Sequence, residues 1–124
     1  MDFYICEHCK NIITFLNNTG VPVNCCGENM NKLIPNTSDA ASEKHIPVVK
    51  VDNNTISVCI GETEHTMTEE HYIEWIAIET NKGYQLKKLS PSDPPKCDFI
   101  ISEDEKIISI YSYCNLHSLW IKSL

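Results

Sequence analysis

The 124-residue sequence contains no arginine and no long hydrophobic run, and glycine and proline are scarce. All ten basic residues are lysines and the formal net charge is −7 at pH 7, so the chain lacks the arginine-rich basic surface with which proteins usually bind nucleic acid. No stretch approaches the roughly 18 apolar residues that a membrane-spanning helix requires. With four glycines and six prolines, the composition also differs from that of collagen-like or disordered chains. We therefore expect a globular protein that binds neither nucleic acid nor a membrane.

The amino-terminal residues lack the basic start and apolar run of an export signal. We therefore expect a cytoplasmic protein. Disulfides are rare in that reducing compartment, so the seven cysteines are better interpreted as metal ligands or reactive thiols.

The distribution of cysteine divides the chain into two parts. Four of the seven cysteines lie in the first 36 residues, a piece too poor in large apolar side chains to fold without a metal. A polar stretch at residues 35–42 follows and has the composition of a linker. We predict a small metal-binding module at residues 1–36 and a second domain at residues 37–124.

The second domain has the pattern of short β-strands separated by turn residues. Hydrophobic alternation predicts strands at residues 46–51, 55–60, 71–78, 84–89, 98–102 and 106–113. Asp52-Asn53-Asn54 predicts a hairpin turn between the first two, and alternation in the third strand places Ile73 and Ile76 on opposite faces. The fold class is therefore mainly β, with an antiparallel β-sandwich as the second domain.

Four cysteines in the first module have the spacing of a metal site. Cys6 and Cys9 form a CxxC pair whose sulfurs can converge on one ion, and Cys25 and Cys26 supply two more thiolates. Consecutive side chains tend to diverge, so we expect a distorted tetrahedron in which Gly27 provides the backbone freedom. Four thiolates suit either zinc or a single iron ion, and the spacing does not distinguish these metals.

The second domain contains a second group of residues with metal-binding chemistry: His45, His65, His71, Cys114 and His117. A single histidine is more often an ordinary surface or core residue, but four histidines and one cysteine in a small domain favour a metal site. Cys59 and Cys97 belong to neither group. We interpret both as small apolar residues or loose thiols.

These motifs resemble those of a known family. Cys6-Glu7-His8-Cys9 with Cys25-Cys26-Gly27 is similar to the iron site of desulforedoxin. Three further segments resemble the iron-binding segments of superoxide reductases: Glu43-Lys44-His45-Ile46-Pro47, the segment from His65 to His71, and Cys114-Asn115-Leu116-His117. Their order is that of desulfoferrodoxin, the two-iron subclass, and the resemblance covers nearly the whole chain. Lys10 and Ser118 depart from the family pattern, since both stand where glycine is usual.

The resemblance implies an immunoglobulin-like sandwich and a superoxide reductase activity that forms hydrogen peroxide. It implies two iron ions: one in a rubredoxin-like site made by the four cysteines, where zinc is also possible, and a catalytic one held by His45, His65, His71, His117 and Cys114. Five ligands leave one position open to superoxide, and the thiolate donates electron density that favours release of the product. It further implies rubredoxin or another small protein as electron donor, and a homodimer.

Two charged residues precede His45, and the resemblance gives each a role. Lys44 would attract superoxide and guide protonation, and Glu43 would occupy the open position of the oxidised iron. On a regular strand Glu43 and His45 would share a face while Lys44 pointed away. We therefore predict that residues 43–45 lie in a mobile, lid-like loop.

The alternative is a protein without enzymatic activity, either an iron electron carrier or a zinc-stabilised binding module. The four-cysteine site alone would suit such a protein. The second site distinguishes the two readings, because a closed or zinc-filled site could not reduce superoxide.

Overall fold

The structure, a computed structural model, describes all 124 residues. It divides into two compact units, Met1–Ile34 and Pro35–Leu124. Strands dominate both units, and the one α-helix has four residues; no helix is long enough to cross a membrane. The predicted mainly β fold is confirmed.

The first unit consists of five short strands. Phe3–Ile5 (β1), Ile12–Thr14 (β2) and Asn31–Lys32 (β5) form an antiparallel sheet in the order β2-β1-β5, and Asn24–Cys25 (β3) pairs with Glu28–Asn29 (β4). Its buried apolar side chains are Phe3, Ile5, Cys6 and Met30. So small a core favours a unit that depends on a bound metal for stability.

The second unit is an antiparallel β-sandwich that begins with a single helical turn. Its elements are Ser42–His45 (α1), Pro47–Asp52 (β6), Thr55–Ile60 (β7), Ile73–Thr80 (β8), Gly83–Lys88 (β9), Lys96–Ile100 (β10), Ile107–Cys114 (β11) and Ser118–Ser123 (β12). One sheet has the order β10-β7-β6 and the other β12-β11-β8-β9. The six predicted strands are confirmed, with ends shifted by at most two residues. Strand β12 was not predicted from the sequence.

The two sheets of the sandwich share one hydrophobic core. One sheet contributes side chains from β7 and β10 and the other contributes side chains from β8 and β11; the central ones, each at most 2% exposed, are Ile56, Val58, Ile60, Phe99, Ile76, Ile78 and Ile110. Burial of this many large apolar side chains stabilises the sheets by about 2 kcal/mol per side chain. The sandwich is thus a firm support for the loops at its ends.

A β-bulge changes which side chains of β8 enter the core. Trp75 pairs with Tyr113 and Ile73 pairs with Cys114, so Glu74 is the extra residue between two consecutive pairs. Ile73 therefore lies in the same core as Ile76. The prediction that these two isoleucines lie on opposite faces is wrong, because simple alternation does not allow for the extra residue.

The predicted hairpin turn between β6 and β7 is confirmed. Asp52 pairs with Thr55, which leaves a two-residue turn made by Asn53 and Asn54. Asn53 has a φ of 55° in the left-handed region, which asparagine tolerates better than most other residues. The turn thus explains why asparagine occurs at this position.

Asn53→Ala should lower the free energy of unfolding of the second unit by about 1 kcal/mol, because alanine is strained at positive φ. Asn54→Ala is the matched control in the same turn and should change it by less than about 0.5 kcal/mol. Urea unfolding followed by tryptophan fluorescence measures both effects, since Trp75 and Trp120 lie in this unit. Equal losses in the two variants would contradict the left-handed conformation of Asn53.

Candidate metal centres

The first candidate centre begins with a tight turn after β1. The Lys10 amide donates a hydrogen bond to the Cys6 carbonyl at 2.9 Å, and the Cys6 amide donates to the Asn11 carbonyl at 2.9 Å. Closing this turn puts Lys10 at a φ of 67°, in the left-handed region where glycine carries no penalty. The Cys9 amide points at the Cys6 sulfur, 3.5 Å away.

A second tight turn presents the two adjacent cysteines. Cys25 ends β3 and pairs with Glu28, so Cys26 and Gly27 make a two-residue hairpin turn. Both turn residues have positive φ, 53° for Cys26 and 80° for Gly27, as a type I′ turn requires. This conformation lets the side chains of two consecutive cysteines face the same point. The prediction that Gly27 provides the backbone freedom for this turn is confirmed.

The four sulfurs meet in a small volume. The Sγ atoms of Cys6, Cys9, Cys25 and Cys26 all lie within 4.8 Å of one another, and those of Cys9 and Cys25 are 3.5 Å apart. Bonds of about 2.3 Å from sulfur to a tetrahedral metal would give sulfur–sulfur distances of about 3.8 Å. The donor set therefore fits one metal ion, zinc or iron.

The acidities of these thiols also point to a bound cation. The Cys9 amide lowers the pKa of Cys6 to about 6. The neighbouring Cys9 and Cys6 sulfurs raise the pKa of Cys25, and they raise that of Cys26 to about 12. Four thiolates cannot share this space unless a metal ion balances their charge.

The second candidate centre lies at one end of the sandwich. The register of the sheets brings the end of β7 beside the start of β6, and the end of β11 beside the starts of β8 and β12. Five side chains project from these ends and the turns between them: His45 from the end of α1, His65 after β7, His71 before β8, Cys114 from the end of β11 and His117 before β12. The structure thus brings together all five residues singled out in the sequence.

The four imidazole rings surround a common centre. Ring centroids of neighbouring histidines are 4.7 Å apart for His45 and His65, 4.7 Å for His65 and His71, 5.1 Å for His71 and His117 and 4.9 Å for His117 and His45. Neighbouring planes are nearly perpendicular, at 76° to 87°. His45 and His71 face each other across the centre at 6.4 Å. The rings therefore occupy the corners of an approximate square.

Two of the rings aim nitrogen lone pairs at each other. The Nδ1 of His45 donates to the Ala41 carbonyl at 2.7 Å, and the Nδ1 of His65 donates to the Thr66 carbonyl at 2.6 Å. In neutral imidazoles, each Nε2 is then an acceptor. These two acceptors are 3.2 Å apart, a repulsive arrangement that a cation between them would convert into two bonds. Metal–nitrogen bonds of about 2.1 Å place two ligand nitrogens about 3.0–3.4 Å apart.

The remaining three residues complete the donor set. The buried Nε2 of His71 has no hydrogen-bond partner. An unpaired buried nitrogen is destabilising unless it binds something else, such as a metal ion. The Nδ1 of His117 lies 3.1 Å from Nε2 of His45 and 3.9 Å from Sγ of Cys114. Sγ of Cys114 and the ligand atoms of His45, His65 and His71 all lie within 4.8 Å of one another. Four imidazoles and one thiol thus fit a single divalent transition metal.

Burial keeps these groups uncharged when no metal balances them. It lowers the pKa of His65 to about 4 and lowers the pKa values of His45 and His71 below the ordinary histidine value. Burial also raises the pKa of the Cys114 thiol, against the opposing effect of the Leu116 and His117 amides. At neutral pH the three histidines are therefore ready to bind a metal, which would displace the proton of the thiol.

Two supporting residues of this centre were not found from the sequence. The Trp120 indole, 1% exposed, stacks on His45 with centroids 4.8 Å apart and donates from Nε1 to the His117 carbonyl at 3.0 Å. Asn115 donates to the Glu70 carbonyl at 2.9 Å and accepts from the Tyr72 amide at 2.9 Å. It thereby joins the turn after Cys114 to the segment that carries His71. The stacking of Trp120 on His45 and both hydrogen bonds of Asn115 join residues more than 40 positions apart, so they leave no local sequence signal.

The segment that carries Glu43 and Lys44 differs from the sequence expectation. It is the helical turn α1 and not a loop, so the lid-like loop predicted there is wrong. The turn points His45 inward, 3% exposed, and leaves Glu43 and Lys44 exposed. A helix rotates successive side chains by about 100°, which separates these three directions without a loop.

The two other cysteines lie outside both centres. Cys59 pairs with Lys96 and Cys97 pairs with Val58 on neighbouring strands, so their side chains point to opposite faces of the sheet. Cys97 packs against the core, and burial raises its pKa to about 11. Its thiol therefore acts as a small apolar group, as predicted.

Comparisons with known proteins agree with this geometry. The sequence model of the desulfoferrodoxin family matches residues 37–123. The chain is 40% identical over 120 residues to a desulfoferrodoxin of Syntrophotalea carbinolica, covering 97% of this chain and 94% of that one. It is 40% identical over 119 residues to one of Nitratidesulfovibrio vulgaris, covering 96% and 93%. The crystal structure of a superoxide reductase from Treponema pallidum superposes with a TM-score of 0.83 at 34% identity, covering 99% of this chain and 100% of that one.

His65→Ala should weaken ferrous iron binding at the second centre by more than about 100-fold, because it removes a ligand as well as its hydrogen-bonded support. The absorption spectrum of iron in the four-cysteine site should not change. His8→Ala is the control, since His8 is exposed and pairs with Glu28 at 3.2 Å. Anaerobic iron titration monitored by absorption measures both centres, and simultaneous loss of both spectra would contradict two separate centres.

Proposed function

The chain belongs to the desulfoferrodoxin family, and we propose that it is a superoxide reductase that holds two iron ions. The reaction adds one electron and two protons to superoxide and gives hydrogen peroxide, without forming dioxygen. The observation that carries this proposal is the pair of Nε2 atoms of His45 and His65, which face each other at 3.2 Å within a ring of four imidazoles. A metal cation bound to both nitrogens would satisfy these two acceptors at once.

The proposed ligands of the catalytic iron are His45, His65, His71, His117 and Cys114. Neutral imidazoles and one thiolate suit ferrous iron, and five ligands leave a position for an exogenous molecule. Iron bound there would supply the electron that reduces superoxide. The proposed role of Cys114 is to donate electron density and so to favour release of peroxide.

The protein fixes the directions of the imidazoles through its own backbone. The Ala41 and Thr66 carbonyls hold the Nδ1 protons of His45 and His65, which keeps both Nε2 atoms free to bind metal. The bulged pairing of β8 with β11 places Cys114 opposite Ile73, both 0% exposed. His71 and His117 are only half-buried, which supports access for a small anion from their side.

Electrostatics support a role for Lys44 in substrate capture. The net charge of −7 opposes the approach of an anion. Lys44 is exposed, makes no salt bridge and directly precedes His45, so its charge lies next to the segment that carries this proposed ligand. We assign it the attraction of superoxide and the guidance of a proton to the product. The resemblance assigns the neighbouring Glu43 to the open position of the oxidised iron. Because the helical turn rotates Glu43 about 200° away from His45, its carboxylate could bind there only if α1 unwinds.

The resemblance to this family also suggests a domain division, an oligomeric state and an electron donor. We propose that residues 1–36 fold as a separate module with iron bound to Cys6, Cys9, Cys25 and Cys26, and that residues 37–124 form the reductase domain. We further propose a cytoplasmic homodimer that receives electrons from rubredoxin or a similar small donor. In the cytosol the seven thiols would remain reduced.

Cys114→Ser should remove the visible charge-transfer band from thiolate to ferric iron and slow superoxide reduction more than about tenfold. The four histidines should still retain iron. Cys59→Ser is the matched control, since Cys59 lies outside both centres, and it should keep both the band and the activity. A band that survives in the Cys114 variant would reject this thiolate as a ligand. Zinc in both centres of protein loaded in vivo, without superoxide consumption, would favour the non-enzymatic alternative.

Lys44→Ala should slow the capture of superoxide about tenfold at low ionic strength, because it removes the positive charge beside the site. The ratio of wild-type to variant rate constants should shrink as salt rises from about 0.01 M to about 1 M, where the Debye length falls from about 30 Å to about 3 Å. Pulse radiolysis measures these rate constants. Lys50→Ala removes the same charge from another exposed position of this domain and should have little effect. A ratio that does not depend on salt would reject electrostatic guidance by Lys44.

A further inference from the structure

A glycine that the family resemblance did not single out lies against the turn that carries Lys44. Gly61 follows β7 and has a φ of 87°. A Cβ built on it would lie 2.7 Å from the Lys44 carbonyl oxygen and 2.8 Å from the Lys44 carbonyl carbon, and closer still to the Thr63 carbonyl oxygen. These are backbone atoms, so no rotation of a side chain could relieve the contact. Only glycine permits this approach.

Hydrogen bonds from outside the helix fasten the same turn. The Thr63 amide donates to the Glu43 carbonyl at 3.1 Å, and the Gly61 amide donates to the Ile46 carbonyl at 3.1 Å. The Ser112 hydroxyl donates to the His45 carbonyl at 3.0 Å from a fully buried position. Carbonyls at both ends of residues 43–46 are therefore held by β11 and by the turn after β7.

The helix α1 needs these external partners. It has four residues, and its N-cap residue Ala41 makes no side-chain capping bond. So short a helix is unstable by itself, because the conformational entropy lost in nucleation exceeds the stabilisation from a single hydrogen-bonded turn. The conformation that separates Lys44 from His45 is thus imposed from outside.

We propose that Gly61 is a positioning residue for Lys44, in which the missing side chain lets the turn at residues 61–63 clamp the backbone of Glu43 and Lys44 beside the metal centre. The inference deepens the proposed function and rests on it for the role of Lys44. The turn at residues 61–63 then sets where the backbone of Lys44 lies relative to His45.

The substitution Gly61→Ala tests this directly. The added methyl group must displace the Lys44 peptide, whereas His45 keeps its bonds to Ala41 and Ser112 and its contact with Trp120. We expect an iron-loaded protein with the charge-transfer band intact and with superoxide capture about tenfold slower at low ionic strength. The ratio to wild type should shrink with salt, as for Lys44→Ala.

Two comparisons separate positioning from a general loss of stability. Gly20→Ala is the matched control, since Gly20 has a φ of 91° but an added Cβ would meet nothing within 4 Å; it should leave capture unchanged. On the Lys44→Ala background, Gly61→Ala should have no further effect on capture, because it acts through Lys44. A Gly61 variant that only unfolds at lower temperature, with wild-type capture per iron, would overturn the proposal. So would additive effects in the double variant.

Hydrogen exchange tests the clamp without a substitution. In the iron-loaded wild-type protein, measured by mass spectrometry with fragmentation, the Gly61 and Thr63 amides should exchange as slowly as amides within β7. Exchange at the rate of an open loop would overturn the clamp even if Gly61→Ala failed to fold. Wild-type protein that consumed no superoxide would reject the proposed function, and the exchange rates would still decide whether the clamp exists.

Discussion

The structure of the second domain depends on one electrostatic constraint: several uncharged donor atoms point into the same small space. The Nε2 atoms of His45 and His65 face each other as acceptors at 3.2 Å, and the buried Nε2 of His71 has no partner. Without a cation, this arrangement loses hydrogen bonds and adds lone-pair repulsion. With a divalent metal, each of these costs becomes a bond, so metal binding and folding of these loops are coupled.

The sandwich meets this constraint because its register gathers strand ends from both sheets. Pairing of Pro47 with Ile60 brings the segments of His45 and His65 together in one sheet, and pairing of Ile73 with Cys114 does the same for the segments of His71 and Cys114 in the other. The core between the sheets then sets their separation. A slip of one residue in the pairing of β11 with β8 would turn Cys114 away from the core. The pairing at these strand ends therefore fixes where the proposed ligands lie.

Residue chemistry and hydrophobic alternation made most strands and the candidate site residues predictable. The features that were not predicted depend on long-range contacts or on an irregular strand pairing. Residue type pointed to the candidate ligands, since thiols and imidazoles bind transition metals wherever the chain brings them together, and alternation located the strands. The bulge at Glu74 was not predictable, because residues 75–78 are all apolar and the alternation there shows no clear phase that an extra residue would shift. The helical turn at residues 42–45 has no local signal either, since Gly61, Thr63 and Ser112 impose it from a distance. Trp120 resembled any other core aromatic until its stacking on His45 was visible.

The two departures from the family pattern share a physical cause. Lys10 has a φ of 67° and Ser118 a φ of 65°, and each directly follows a proposed ligand, Cys9 or His117. At both places the chain must reverse at once so that the ligand can face the metal, and glycine does this without strain. A side chain there costs about 1–2 kcal/mol. Metal binding contributes on the order of 10 kcal/mol in small structural sites, so each centre can hold its strained turn without glycine. The strain therefore lowers the stability of these turns most in the metal-free chain, where no metal-binding free energy offsets it.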